Sequence, residues 1–186
     1  RFLRALYHAG GGGLPRRRAG ESAGVLRMSG GDFFGDLRDL YQEVILDHGR
    51  KPRNFRRLED ADRTSRGDNP MCGDRMELFL KMTPDGHIAD AAFQGRGCAV
   101  SMASASLMTE TVKGKTPEEA QALGTAFRDL AMTGQCPSCA ASLEDAMERL
   151  TPLSGVHEFP SRVKCATLAW HTLNAALAGA KEASSE

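Results

Sequence analysis

Met76-Glu77-Leu78-Phe79-Leu80-Lys81-Met82 is followed by Thr83-Pro84-Asp85-Gly86 and then by His87-Ile88-Ala89-Asp90-Ala91-Ala92-Phe93. Met76, Leu78, Leu80 and Met82 recur at every second residue, the period of a strand with one buried face. Pro84 presets a turn's backbone and Gly86 gives it freedom, so the two runs read as the arms of a β-hairpin.

The flanking segments read as helices. Upstream, Phe33, Leu37, Leu40, Tyr41, Val44 and Ile45 fall at three- and four-residue steps. That stripe predicts an amphipathic helix from Asp32, ending near His48-Gly49 ahead of Pro52. Residues 50–70 are polar and read as irregular or as holding one edge strand. Downstream, Gly95-Arg96-Gly97-Cys98 breaks into a helix rich in small residues, from Ala99 to about Val112. Thr116-Pro117-Glu118-Glu119 is a capping box with proline at the first helical position, opening a helix from Pro117 to about Leu130. A short helix is expected near Ser142 to Leu150. The last begins around Ser161, with an apolar stripe of Ala166, Ala169, Trp170, Leu173, Ala176 and Leu177, and frays at Lys181. The class expected is α+β, a small antiparallel sheet of about three strands packed against several helices.

A length of 186 residues suits one domain with a tail. Residues 1–31 hold six arginines and one glutamate, whereas the rest holds 18 basic and 23 acidic residues. The body is therefore slightly acidic, which gives nucleic-acid binding no support. No apolar run approaches the roughly 20 residues of a membrane helix. Residues 1–31, with Gly10 to Gly13 and Arg16-Arg17-Arg18, read as a disordered or non-native extension. Met28-Ser29-Gly30-Gly31 looks like a native start, although an arginine-rich, acid-poor segment also suits an organellar transit peptide. Residues 32–186 are expected to form the single domain.

Five cysteines (72, 98, 136, 139 and 165) are an odd number without a secretory signal. They point to metal binding or thiol chemistry in a reducing, cytoplasmic setting and not to a disulfide framework. In Asp68-Asn69-Pro70-Met71-Cys72-Gly73-Asp74, proline biases Asn69 toward extended backbone and Gly73 permits unusual angles. Cys72 and Asp74 can thus face one point, as half of a four-coordinate metal site. Cys98 opens a helix, and Cys165 lies in the first turn or so of the last one, where a helix N-terminus favours thiolate. Arg75, Arg96, Arg162 and Lys164 add weak basic support. Spacing alone decides nothing, because a free cysteine is often a small buried hydrophobe.

The motifs Leu40-Tyr41-Gln42-Glu43-Val44-Ile45-Leu46-Asp47-His48, Asp68 to Asp74, Gly97-Cys98-Ala99-Val100-Ser101-Met102-Ala103-Ser104-Ala105-Ser106 and Arg162-Val163-Lys164-Cys165-Ala166-Thr167-Leu168-Ala169-Trp170 stand in the order seen in a known family. The chain resembles the NifU/IscU family of iron–sulfur cluster assembly proteins, and most closely its SufU branch. The resemblance implies a SufU/IscU-like fold and places the family's metal ligands on Cys72, Asp74, Cys98 and Cys165. Scaffold members carry a histidine immediately before the last cysteine, where this chain has Lys164. They also have a shorter gap between the last two cysteines; residues 116–152 resemble the SufU insertion.

The function implied by the resemblance is that of a Zn²⁺-dependent sulfur acceptor for a PLP-dependent, SufS-like cysteine desulfurase. It is a sulfurtransferase-like partner rather than a stand-alone enzyme, and it delivers sulfur to downstream iron–sulfur assembly proteins. Cys72 is the candidate sulfur carrier: a residue of the desulfurase takes its place on zinc, and the freed thiolate attacks the persulfide. Asp74, Cys98 and Cys165 remain on the ion. The alternative is a scaffold that assembles a [2Fe–2S] cluster, or holds iron, with the same four residues.

Cys136-Pro137-Ser138-Cys139 stands outside this pattern. It reads as a redox dithiol, half of a second zinc site, or an exposed pair in an insertion. A thiol–disulfide oxidoreductase centred on it is a third reading. His48 and His87 are expected at surfaces or helix ends, His171 on a polar helix face, and Met102 and Met108 in the core.

Overall fold

The computed structural model describes residues 30–136 and 140–184. The extension expected over residues 1–31 lies outside these up to Ser29, and the first helix takes in Gly30 and Gly31. Strands β1 (Arg63–Asn69), β2 (Asp74–Met82) and β3 (Ile88–Arg96) form an antiparallel meander. A short β4 (Glu182–Ser184) joins β1 in parallel, so the order is β3-β2-β1-β4. The hairpin between β2 and β3 forms where the alternation placed it. Thr83 N–H donates to His87 O at 2.8 Å and Gly86 N–H to Thr83 O at 3.0 Å. The turn needs glycine because Gly86 has a φ of 89°.

Two strand expectations are corrected. Among the described residues the sheet has four strands instead of about three, and residues 50–70 contain a strand that is not at the edge, since β4 covers β1. The inward residues of β1 are Ser65, Gly67 and Asn69, so the strand carries no apolar alternation to read. β4 arises from the polar tail. α5 (Pro160–Leu177) ends well before Lys181, and Gly179, at a φ of 76°, turns the chain back. Lys181 O then accepts from Arg66 N–H at 2.8 Å.

The other helices are α1 (Gly30–Arg50), α2 (Ala99–Thr111), α3 (Pro117–Thr133) and α4 (Glu144–Leu150). The capping box on α3 forms as expected: Glu119 N–H donates to Thr116 Oγ1 at 3.2 Å, and Thr116 N–H to Glu119 Oε2 at 2.9 Å. A 3-10 run over Thr151–Glu158, which the periodicity did not signal, joins α4 to α5. No helix among the described residues is long and apolar enough to cross a membrane.

α5 packs on β1 and β2, and α2 packs on α5 and β3. Leu78, Leu80, Phe93, Met108, Phe127 and Leu168 are fully buried between the layers. Phe127 of α3 stacks on Trp170 of α5 at 4.9 Å. Phe79, on the opposite face of β2, is buried as well, beneath the Arg57 guanidinium. The small residues of α2 allow close approach to α5, where buried Ser104 donates to Ala166 O at 2.6 Å.

β1 lies hard against α5 at Gly67. A Cβ there would sit 2.0 Å from Thr172 Oγ1, whose hydroxyl is buried and donates to Leu168 O at 2.8 Å. Gly67→Ala should therefore destabilise the domain by about 1–3 kcal/mol in urea unfolding. The double variant Gly67→Ala/Thr172→Ala should recover part of that loss.

His48 does end α1, but it is buried and not at the surface. Its Nδ1 shares a 2.8 Å hydrogen bond with Ser106 Oγ, which also accepts from Arg53 N–H at 2.8 Å. Burial, and secondarily Arg53, holds its pKa below the ordinary 6.5. The unfolded chain then binds the extra proton first, so this contribution is intact above 6.5 and fades as pH falls toward the folded value. The urea midpoint should drop between about pH 7.5 and about pH 5, with a shallower drop in His48→Gln.

Candidate metal centre

The β1–β2 connection builds the first half of the site. Asn69 and Asp74 are the closing pair of the ladder, and Gly73 N–H donates to Asn69 O at 2.9 Å. Gly73 has a φ of 70°, with nothing within 4 Å of where a Cβ would stand, so backbone conformation alone demands glycine. The tip Pro70-Met71-Cys72-Gly73 projects outward, leaving Cys72 and Met71 exposed.

Asp74 opens β2 and points inward, 1% exposed. Its Oδ1 accepts from Cys98 N–H at 2.9 Å. That bond needs Gly97, since a Cβ there would come within 2.9 Å of the same oxygen. Cys98 is the N-cap of α2, and its Sγ accepts from Ser101 N–H at 3.5 Å. Cys165 projects from α5 with 1% exposure, its Sγ 3.2 Å from Cys72 Sγ.

One ligand atom each from Cys72, Asp74 and Cys165 lies within 4.8 Å of the others. These three of the four expected residues converge. Cys98 borders them through its backbone, but its thiol faces Ser101 and falls outside the cluster. All three cysteines are free thiols.

The electrostatics differ from the sequence expectation at Cys165. This residue lies beyond the first turn, after the N-cap Phe159, and its thiol pKa is pushed up instead of down. Burial is the main cause, followed by the adjacent Cys72 thiol and Asp74 carboxylate. Arg75 offers no relief, because it pairs at 3.0 Å with exposed Asp68.

A divalent cation fits these residues. Asp74 Oδ2 is buried with no hydrogen-bond partner, an expensive state for a carboxylate oxygen. Two thiols beside it form a mixed sulfur and oxygen donor set of the kind zinc and iron accept. A positive charge there would satisfy the oxygen and reverse the penalty on the buried thiol.

The remaining marked residues lie elsewhere. Cys136 is disulfide-bonded and half-buried against the core, and Cys139 lies outside the described residues. His87 sits by Asp85 in the hairpin turn, and half-buried His171 has its pKa pushed down by burial and by Arg128. Met108 is in the core and Met102 packs against it, as expected. Two participants in the centre, Asn69 and Gly97, are not singled out by sequence reasoning. Their signals are nonetheless present, an asparagine before the tip proline and a glycine before a helix-opening cysteine.

An α+β domain with a cysteine–aspartate cluster at a hairpin tip defines the class. The chain belongs to the NifU-like N-terminal domain family, whose model matches residues 40–184. It is 43% identical over 146 residues to the zinc-dependent sulfurtransferase SufU of Bacillus subtilis (strain 168), covering 78% of this chain and 95% of that protein. It is 38% identical over 141 residues to the iron–sulfur cluster assembly scaffold protein IscU of Streptococcus pyogenes serotype M1, covering 76% and 84%. A crystal structure described as a candidate iron–sulfur cluster assembly scaffold protein for the SUF system (FiSufU), from Fervidobacterium islandicum AW-1, superposes with a TM-score of 0.66. It is 30% identical, covering 75% of this chain and 98% of that one.

Gly97→Ala should push the Asp74 carboxylate out of place while leaving the fold intact. The expected result is a roughly 10–100-fold loss of Zn²⁺ affinity in competition with a chromophoric chelator, with an unchanged far-UV spectrum.

Proposed function

We propose that this protein takes persulfide sulfur from a PLP-dependent, SufS-like cysteine desulfurase on Cys72 and passes it to downstream iron–sulfur assembly proteins. The observation that carries the reading is the pairing of an exposed thiol at a hairpin tip with a buried thiol and an unpartnered buried carboxylate oxygen. The similarity to a relative named as a zinc-dependent sulfurtransferase supports it.

Cys72, Asp74 and Cys165 would hold zinc, with Cys98 the fourth ligand once its side chain turns from Ser101. Bound there, zinc supplies a fixed positive charge that keeps thiols deprotonated without redox chemistry of its own. The chain's own residues divide the remaining work. Cys165 is enclosed by α5 and the hairpin, where an incoming persulfide has no path to it. Cys72 stands in solvent on a short turn, where another protein's sulfur can approach in line. Its thiolate attacks the terminal sulfur of the desulfurase's Cys–S–SH group. One S–S bond forms to Cys72 as the desulfurase's own S–S bond breaks, and the desulfurase cysteine leaves as thiolate with the electron pair. The proton stays on the transferred sulfur, so no external oxidant or reductant is needed.

The second reading, assembly of a [2Fe–2S] cluster on these residues, draws support from the IscU relatives, which are named as scaffold proteins. Lys164, in place of a histidine beside Cys165, favours transfer over assembly.

Cys72→Ala should abolish sulfur uptake, read as the mass of one added sulfur on the intact chain after incubation with desulfurase and cysteine. Much of the zinc should remain by metal analysis of anaerobically purified protein. Uptake that survives in this variant overturns the assignment, and a transferable brown chromophore on the wild type favours the scaffold.

A further inference from the structure

We propose that Asn69 is a positioning residue of this centre, assigning different roles to its two sulfurs. The inference rests on the proposed metal-bound, sulfur-accepting site and names a residue outside its ligand set. Asn69 ends β1 and is 1% exposed. Its Oδ1 accepts from Met71 N–H at 3.2 Å, an Asx-type bond that folds the tip carrying Cys72. Its Nδ2 donates to Cys165 Sγ at 3.6 Å. The amide orientation is fixed by both bonds, because the reverse would set an NH₂ group against the Met71 N–H.

One side chain therefore does two things. It shapes the turn that presents Cys72, and it gives Cys165 a hydrogen-bond donor. A thiolate that accepts an N–H bond has part of its charge stabilised and is a poorer nucleophile. Among the described residues, no N–H group donates to Cys72 Sγ, whose only hydrogen-bond contact is Cys165. The asymmetry makes Cys165 the sulfur that stays and Cys72 the sulfur that reacts. Burial of Cys165 acts in the same direction, but burial alone would leave its thiolate without any donor.

The test replaces the donor and keeps the turn. Asn69→Asp retains the acceptor for Met71 but places an oxygen against the sulfur. Asn69→Ser retains a turn-forming oxygen on a side chain too short to reach Cys165, and decides the matter should the aspartate variant not fold. Each chain is loaded with Co²⁺, and the sulfur-to-cobalt charge-transfer band and the rate of Co²⁺ loss to a chelator are recorded. Loss of the N–H bond should move the band to lower energy and speed metal release by about tenfold or more. After incubation with desulfurase and cysteine, peptide mapping should find part of the sulfur on Cys165, whose thiolate, 3.2 Å from Cys72, takes the terminal sulfur from the Cys72 persulfide as Cys72 leaves as thiolate. A band, release rate and map all matching wild type overturn the role of Asn69 alone. Wild-type protein that binds no Co²⁺ overturns the metal centre and this inference with it. Wild-type protein that binds Co²⁺ but takes up no sulfur overturns only the transfer reading, and the band and release rate still decide the role of Asn69.

Discussion

A carboxylate withdrawn from water fixes the layout of this molecule's functional end. Asp74 is almost fully enclosed, and one of its oxygens is bound by the backbone N–H that opens α2. That single bond joins the start of β2 to the start of a helix 24 residues away. Every neighbour must respect it. Gly97 lacks a side chain because there is no room for one beside the oxygen. The second oxygen has no hydrogen-bond partner, and the carboxylate lies within 4.8 Å of two sulfurs drawn from elements on either side. A carboxylate so placed is best balanced by a cation, which is the chemical ground for the metal proposed here.

The scaffold encloses one thiol of the cluster and exposes the other. α5 is held to the sheet by the close approach at Gly67 and to α2 by the Ser104 hydroxyl, which fixes Cys165 from two directions. Cys72 has only the hairpin tip behind it. Within one cluster the thiols thus span the range from buried to accessible. Two thiols in equivalent surroundings would give the proposed sulfur transfer no means of choosing between them.

Much of this was legible in the residue order. The β2–β3 hairpin was readable because Met76, Leu78 and Leu80 alternate and Thr83-Pro84-Asp85-Gly86 is turn chemistry. The α3 start was readable because Thr116 and Glu119 bond locally, and local bonds leave local signals. β1 was not readable as an interior strand, because its inward face is Ser65, Gly67 and Asn69 and its partner β4 comes from more than 110 residues away. At the site, motif resemblance placed Cys72, Asp74 and Cys165 together, which spacing could not have done. The orientation of the Cys98 thiol and the raised pKa of Cys165 were both out of reach. They depend on rotamer and burial, properties of the assembled layers and not of any window of sequence. His48 illustrates the same limit: a histidine at a helix end looks like a surface residue until Ser106 and Arg53 fold over it.

The three-residue strand β4 has a bearing on handling the protein. By pairing with Arg66, Gly67 and Asp68 it caps the free side of β1, next to the strand that carries Asp74. A chain trimmed before Glu182 would bare a row of backbone donors and acceptors there, a template on which a second molecule could add its own strand. Fusion of bulky sequence after Ser184 would strain the same seam. Clumping of truncated preparations would then originate in the sheet's margin and not in cysteine oxidation.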